Sequence, residues 1–278
     1  MKKIAIVTGA SSGIGKEAVL RLIARGYEVH AAARRTEAMR DIEARGAHIH
    51  HLDLTKPESI EGFIGDVLQA SGHVDLLVNN AGYGAYGAVE EVPLAAARDQ
   101  MEVNLFALAH LTQLVLPSMR QRRSGRIINV TSIGGKVWSL LGAWYHASKF
   151  AVEGFSDALR NEMHPFGIDV VVVEPGGTKT DWTNIAIENM KKVSGAGPYR
   201  EFVTAWENLA KTNGPLASPG QIADVIVRAA TATRPKTRYV APLFGRVTVC
   251  LRRLLSDRAF DWLMGKLFRI PKSLGAGA

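Results

Sequence analysis

Cysteine is almost missing: Cys250 stands alone in 278 residues, which excludes a disulfide framework and suits a reducing compartment. Long hydrophobic runs are missing too. No apolar stretch reaches the roughly 18 residues that cross a bilayer, so no membrane-spanning helix is expected. The amino terminus, MKKIAIVTGASSG, has only a short apolar run before Thr8, too little for a signal-peptide core, and reads as a first strand. Histidine-rich HIHHLD at 48–53 lacks an acidic or thiolate partner at ligand spacing, so no metal is expected and the segment reads as sheet surface. Positive charge has little excess over most of the chain. The net +8 is carried by residues 234–278, with ten Arg or Lys against Asp257 and Asp261, while residues 1–233 balance. That distribution argues against a nucleic-acid-binding body.

Apolar, β-branched runs are plentiful. KKIAIVT, YEVHAAA, HIHHLDL, VDLLVNNA, RIINVTS, IDVVVVEP and TRYVAP read as seven strands, most of them apolar on both faces as parallel buried strands are. Amphipathic stretches of helical length lie between them, at 14–25, 57–71, 94–121 and 145–166. This alternation predicts an α/β fold, a doubly wound Rossmann-type parallel sheet of seven strands in a single domain over 1–242. Residues 180–214 interrupt the pattern as an insert expected to cover a site. Residues 243–278 form a basic amphipathic helical tail.

VTGASSGIGKEA follows the first strand and opens the first helix. Gly9, Gly13 and Gly15, with Thr8, Ser11, Ser12 and Ile14 around them, would let the backbone approach a phosphate where helix N–H groups are free. The second strand ends AAARR. The acid that meets a free ribose 2′-hydroxyl is replaced by Ala33, and Arg34 and Arg35 follow, as a 2′-phosphate would require. NADP(H) is therefore expected over NAD(H). Tyr145 and Lys149, in AWYHASKFAV, would stack on one helix face. By itself that pair is weak, since 6 Tyr and 13 Lys place one such spacing about 0.3 times by chance.

Together these residues resemble the short-chain dehydrogenase/reductase family, in its single-domain branch, over roughly residues 3–242. The resemblance runs through Thr8-Gly9, Gly13 and Gly15, then Asp53-Leu54, NNAG at 79–82 and Asn104 in EVNLF. It continues with Ser132, Tyr145 with Lys149, and PGGTKT at 175–180. It implies that Asp53 and Leu54 flank the adenine and that Asn80, Ala81 and Gly82 line the cofactor groove. Pro175, Gly176, Thr178 and Thr180 would reach the phosphates or the nicotinamide amide, Thr180 fitting the family pattern better than Thr178. Tyr145 would exchange the proton, and Ser132 would bond the substrate oxygen. Asn104 would anchor a water leading to Lys149, and Lys149 would hold the ribose and lower the phenol pKa. An ammonium about 5 Å away, at an effective dielectric near 20, favours phenolate by roughly 3 kcal/mol, or about two pKa units.

An apolar mouth from Val137, Trp138, Leu140, Leu141, Trp144, Trp182, Ile185, Ile187 and Met190 points to a lipophilic ketone, aldehyde or alcohol, retinoid-, steroid- or long-chain-like. A 3-oxoacyl-carrier-type reductase and a non-enzymatic dinucleotide sensor or scaffold are the alternatives. His146 is expected to pack rather than catalyse, and the arginines at 120–126 to sit at a helix end. The tail has an apolar row at 251, 255, 259, 263 and 267, with Ser256 opening a second helix. Similar tails occur in family members that handle retinoids and steroids. The row could lie on an anionic membrane surface, on its own domain or on a sister subunit. A cytoplasmic setting, or a membrane-peripheral one, and a homodimer or homotetramer through 94–121 and 145–166 complete the expectations.

Overall fold

The computed structural model describes residues 2–211 and 216–268. Residues 212–214 of the expected insert and the tail end at 269–278, with Arg269 and Lys272, lie outside the described residues. The chain runs β1 (Ile4–Thr8), α1 (Gly13–Ala24), β2 (Glu28–Ala33), α2 (Arg40–Glu43), β3 (His48–His51), α3 (Pro57–Ser71) and β4 (Leu76–Asn79). It continues α4 (Leu94–Met101), α5 (Ala107–Arg122), β5 (Gly125–Val130), α6 (Ala143–Met163) and β6 (Ile168–Pro175). Then come α7 (Asp181–Ser194), α8 (Arg200–Lys211), α9 (Pro219–Thr231), β7 (Arg238–Ala241), α10 (Leu243–Leu254) and α11 (Asp257–Leu267).

The seven strands are parallel, in the order β3-β2-β1-β4-β5-β6-β7. Period-two alternation sends neighbouring strand residues to opposite faces. Ala5, Val7, Leu76, Val78, Val171 and Val173 pack under α1 and α9, while Ile4, Ile6, Leu77, Ile127 and Val170 pack under α3, α5 and α6. The winding reverses between β1 and β4, so a crevice opens at their carboxyl ends, where open α/β sheets bind ligands.

Four details differ from the sequence reading. The single helix expected over 94–121 is α4 and α5 joined by a π-helical turn at Glu102–Phe106. The arginines after it do not all sit at a helix end: Arg126 lies in β5, pairs with Asp169 and donates to the last carbonyls of α9. HIHHLD is more than sheet surface. His50 Nε2 lies 3.0 Å from Nδ1 of the buried His30, and His48 stacks on the same ring. Burial, with His50 and His48 beside it, lowers His30 to about 4. The tail row is shifted by one residue: Phe260, Met264 and Phe268 face inward, onto Val137, Ile133 and Trp138, while Leu267 is exposed. Leu255 is extended and Ser256 starts a new helix, its Oγ accepting from Ala259 N, so an i+4 row counted across the break loses phase.

Candidate active site

The glycine loop fills the reversal point. Gly9 and Gly13 have φ of 68° and 56°, which favours glycine at both. A Cβ on Gly15 would collide with the Gly9 carbonyl oxygen and the Asn80 amide. Ser12 is extended and α1 begins after it, leaving the first-turn N–H groups directed into the crevice. Thr8 takes another role than expected. It is buried, and its hydroxyl accepts from Asn80 N and Ala81 N at 3.1 Å each, tying β1 to the segment after β4. The Asn80 side chain strengthens that tie by donating to Thr8 O at 2.9 Å.

Thr180 sits over the loop, its Cγ2 3.4 Å from where a Gly13 side chain would begin. Thr178 is buried, bonds to Gly176 O and bridges to Ala217, so Thr180 is the better placed of the two. Pro175 ends β6, and Gly176 N donates to Ala241 O, which holds the following PGGTKT segment at the sheet edge. Ile14 packs into the core beneath the loop.

Arg35 donates to Ser11 Oγ and Ser12 Oγ at 3.3 and 3.4 Å, which brings a guanidinium alongside the glycine loop. Arg34 is exposed next to it. Asp53 is held low mainly by its bonds from Thr55, with a further contribution from the field of Arg34. Leu54 is buried beside it. Glycines where side chains would intrude, an open helix N-terminus and two arginines at the end of β2 make a cradle that fits a phosphorylated dinucleotide.

The chemistry-bearing side chains converge next to this cradle. Tyr145 and Lys149 lie one turn apart on α6, with Nζ 6.0 Å from the phenol ring centroid and donating to Val130 O at 3.1 Å. Ser132, just beyond β5, accepts from Gly134 N at 3.0 Å and is in hydrogen-bond reach of the Tyr145 hydroxyl. Asn104 occupies the π-helical turn. It accepts from Tyr83 N and donates to Tyr83 O and Ser148 Oγ, so its side chain anchors the Gly82–Tyr83 segment to α6. A side chain on Gly82 would start 3.0 Å from Asn104 Oδ1 and 3.5 Å from Lys149 Nζ, so the groove floor there is backbone.

The electrostatics correct one expectation. The Tyr145 phenol is not lowered: burial pushes it up to about 12, opposed by the Ser132 hydrogen bond. Burial also brings Lys149 down to about 8, opposed by the Glu153 carboxylate one turn along α6. Desolvation of both charged forms outweighs the attraction of ammonium for phenolate. The phenol therefore keeps its proton at neutral pH, and burial favours discharge of the ammonium.

Aromatic residues close over the phenol. Trp182 and Tyr86 lie 5.1 and 5.4 Å from the Tyr145 ring, and Leu141, Ile187 and Met190 join them. Of the apolar mouth expected from sequence, Val137 faces α11 instead, Trp138 and Leu140 pack with the α11 cluster and also line the neighbouring cavity, and Ile185 points to solvent. Tyr86 and Trp206 belong to this lid but escaped the sequence reading, because only the packing of β4's following loop and α8 brings them here. His146 packs, as expected, and also organises the loop above it. Its Nδ1–H donates to Gly134 O at 2.8 Å and its Nε2 accepts from Ser139 N at 2.9 Å, which pins the 134–139 segment. A cavity of about 560 Å³ opens alongside, between Gly87, Val89, Trp138, Leu141, Tyr199 and Phe202.

A doubly wound parallel sheet with a glycine cradle and a Ser–Tyr–Lys cluster at its reversal point defines a dinucleotide-dependent oxidoreductase class. The short chain dehydrogenase family profile matches residues 3–191, and this chain belongs to that family. It is 37% identical to the uncharacterized oxidoreductase YusZ of Bacillus subtilis, across 95% of this chain and 98% of that protein. It is 31% identical to the NADPH-dependent 3-dehydrocapnine reductase of Ornithobacterium rhinotracheale, across 95% and 96%. The crystal structure of a short-chain dehydrogenase from Streptomyces avermitilis superposes with a TM-score of 0.82 at 35% identity, covering 96% of this chain and 98% of that one.

Proposed function

We propose that this protein is an NADP(H)-dependent oxidoreductase that interconverts a ketone or aldehyde and an alcohol on a lipophilic substrate. The observation that carries the reading is the convergence of Tyr145, Lys149 and Ser132 beside the glycine loop. NADP(H), when bound, supplies or accepts the hydride. Gly9, Ser11, Ser12, Gly13 and Gly15 would hold its phosphates, Arg34 and Arg35 its 2′-phosphate, and Asp53 and Leu54 would flank its adenine. Asn80, Ala81 and Gly82 would line the groove with Pro175, Gly176 and Thr180. The relative that is named as NADPH-dependent supports the choice of cofactor.

In reduction, Tyr145 Oη gives its proton to the substrate oxygen while Ser132 Oγ donates to the same oxygen, stabilising charge where it grows. The buried phenol is protonated at neutral pH, so it holds the proton that the step requires. Lys149 Nζ supplies a positive charge beneath the phenolate that forms, and Asn104 keeps the segment over Lys149 in place. Trp182, Tyr86 and Met190 exclude water and favour an apolar substrate body. The relative named for reducing a 3-dehydro compound is consistent with the reductive direction. Phe106 and Phe150, exposed on the helical faces expected to meet a second subunit, support a homodimer or homotetramer.

Tyr145→Phe tests the reading. It should cut kcat with a ketone panel and NADPH about a thousandfold while leaving NADPH affinity within about threefold. A variant that retains more than a few per cent of turnover would remove Tyr145 as proton donor.

A further inference from the structure

Helix α10 is amphipathic the wrong way round for a helix that only packs on its own domain. Gly245 and Val249 turn inward. At about 100° per residue, Leu243, Val247 and Leu254 fall within about 40° of one another on the opposite side, with Leu251 and Phe244 next to them. Leu243 is 71% exposed and Leu254 76% exposed, and Phe244 and Val247 are exposed as well. An apolar stripe of this kind on a surface helix marks a contact with something.

Charge selects the partner. Arg246 and Arg253 edge one side of the stripe, and α10 itself carries no acidic residue. The acids of the next helix are engaged within the chain: Asp257 pairs with Arg252 and Asp261 accepts from Trp138 Nε1. An antiparallel two-fold contact centred on α10 would set one row of arginines against its copy, with no carboxylate from the helix between them. Across α10 and α11, five Arg or Lys stand against two Asp, so the segment around the stripe is basic. Nearby, Trp262 is exposed with Lys266 Nζ 4.0 Å above its ring, an aromatic and cation pair suited to a lipid headgroup layer.

We propose that the outward face of α10 seats on an anionic lipid surface, with its leucines, Phe244 and Val247 entering the headgroup boundary and the flanking arginines meeting lipid phosphates or carboxylates. This contact does not depend on the substrate reading, because the outward residues of α10 belong neither to the Tyr145 cluster nor to the glycine cradle. It would place the protein where a lipophilic substrate partitions.

The test is co-sedimentation of the full chain with phosphatidylcholine vesicles, with and without phosphatidylserine, over a range of salt. Binding is expected only to the phosphatidylserine vesicles, weakening as salt rises. Leu254→Glu and Val247→Glu, at exposed positions that leave the core intact, should each lower the partition about tenfold. Failure of the full chain to pellet with anionic vesicles at low salt would overturn the proposal. So would light scattering that reports an oligomer which these same substitutions dissociate, because a second copy would then cover the stripe. Neither readout involves turnover, so this proposal and the oxidoreductase reading fail separately.

Discussion

Guanidinium pairs with phosphate through a planar fork, so Arg34 and Arg35 at the end of β2 suit a ribose 2′-phosphate. In the folded chain Arg35 bonds to two serines of the glycine loop, which places that fork next to the phosphate cradle. Replacing both by Ala should weaken NADPH binding at least about a hundredfold, at roughly 1.5–3 kcal/mol for each charge-assisted contact, and change NADH binding little. Fluorescence titration of the two cofactors decides this, and equal losses would count against the assignment. Lys149 carries a pH signature. Its ammonium, brought down to about 8 from the ordinary 10.5, is present below that pH and lost above it. The kcat/KM for ketone reduction should therefore hold level up to about pH 8 and decline beyond it. Lys149→Arg, which stays charged, should move the decline to higher pH at a lower overall rate. A wild-type profile that stays flat through pH 9.5 would dissociate Lys149 from the step.

At the scale of elements, boundaries followed local chemistry closely. Pro57 opens α3 and Gly72 closes it in the left-handed conformation, Ser256 opens α11, and α6 covers the segment read from AWYHASKFAV. Breaks invisible to periodicity are the ones held by tertiary bonds. The π-helical turn at Glu102–Phe106 keeps α-like spacing in sequence, yet Asn104 within it is held by Tyr83 and Ser148 from other segments. Docking of α11 shows the same dependence. Phe260 fills a site between Val137 and Trp138, and Arg252 lies 5.4 Å above its ring. Phe260→Ala should cost that docking about 3 kcal/mol and speed amide exchange across 257–267 about a hundredfold, while β5 and β6 stay protected. Unchanged exchange in α11 would mean that Phe260 does not hold the helix.

At the scale of the molecule, the sheet, its parallel sense and the position of the cradle could be read from the chain alone. Near-continuous apolar strands separated by helix-length amphipathic segments allow few alternatives, and a glycine loop between a strand and a helix lies at the reversal point by topology. Tyr145, Lys149 and Ser132 were legible through the family motifs taken in order, the Tyr145–Lys149 spacing being too common to decide it alone. Tyr86, Trp206 and His146's hold on the loop were not, since no periodicity links a loop after β4 with α8 or Ser139 with an imidazole. The sequence by itself determined which groups could do proton and phosphate chemistry, through residue type, the glycine loop and the family resemblance that the motifs carry in order. Only the tertiary structure decided how charged those groups are and which way the tail faces. Both depend on desolvation and packing by residues distant in the chain: burial raises the phenol and lowers the ammonium, and Gly245 and Val249, turned onto the domain, leave Leu243 and Leu254 of α10 outside.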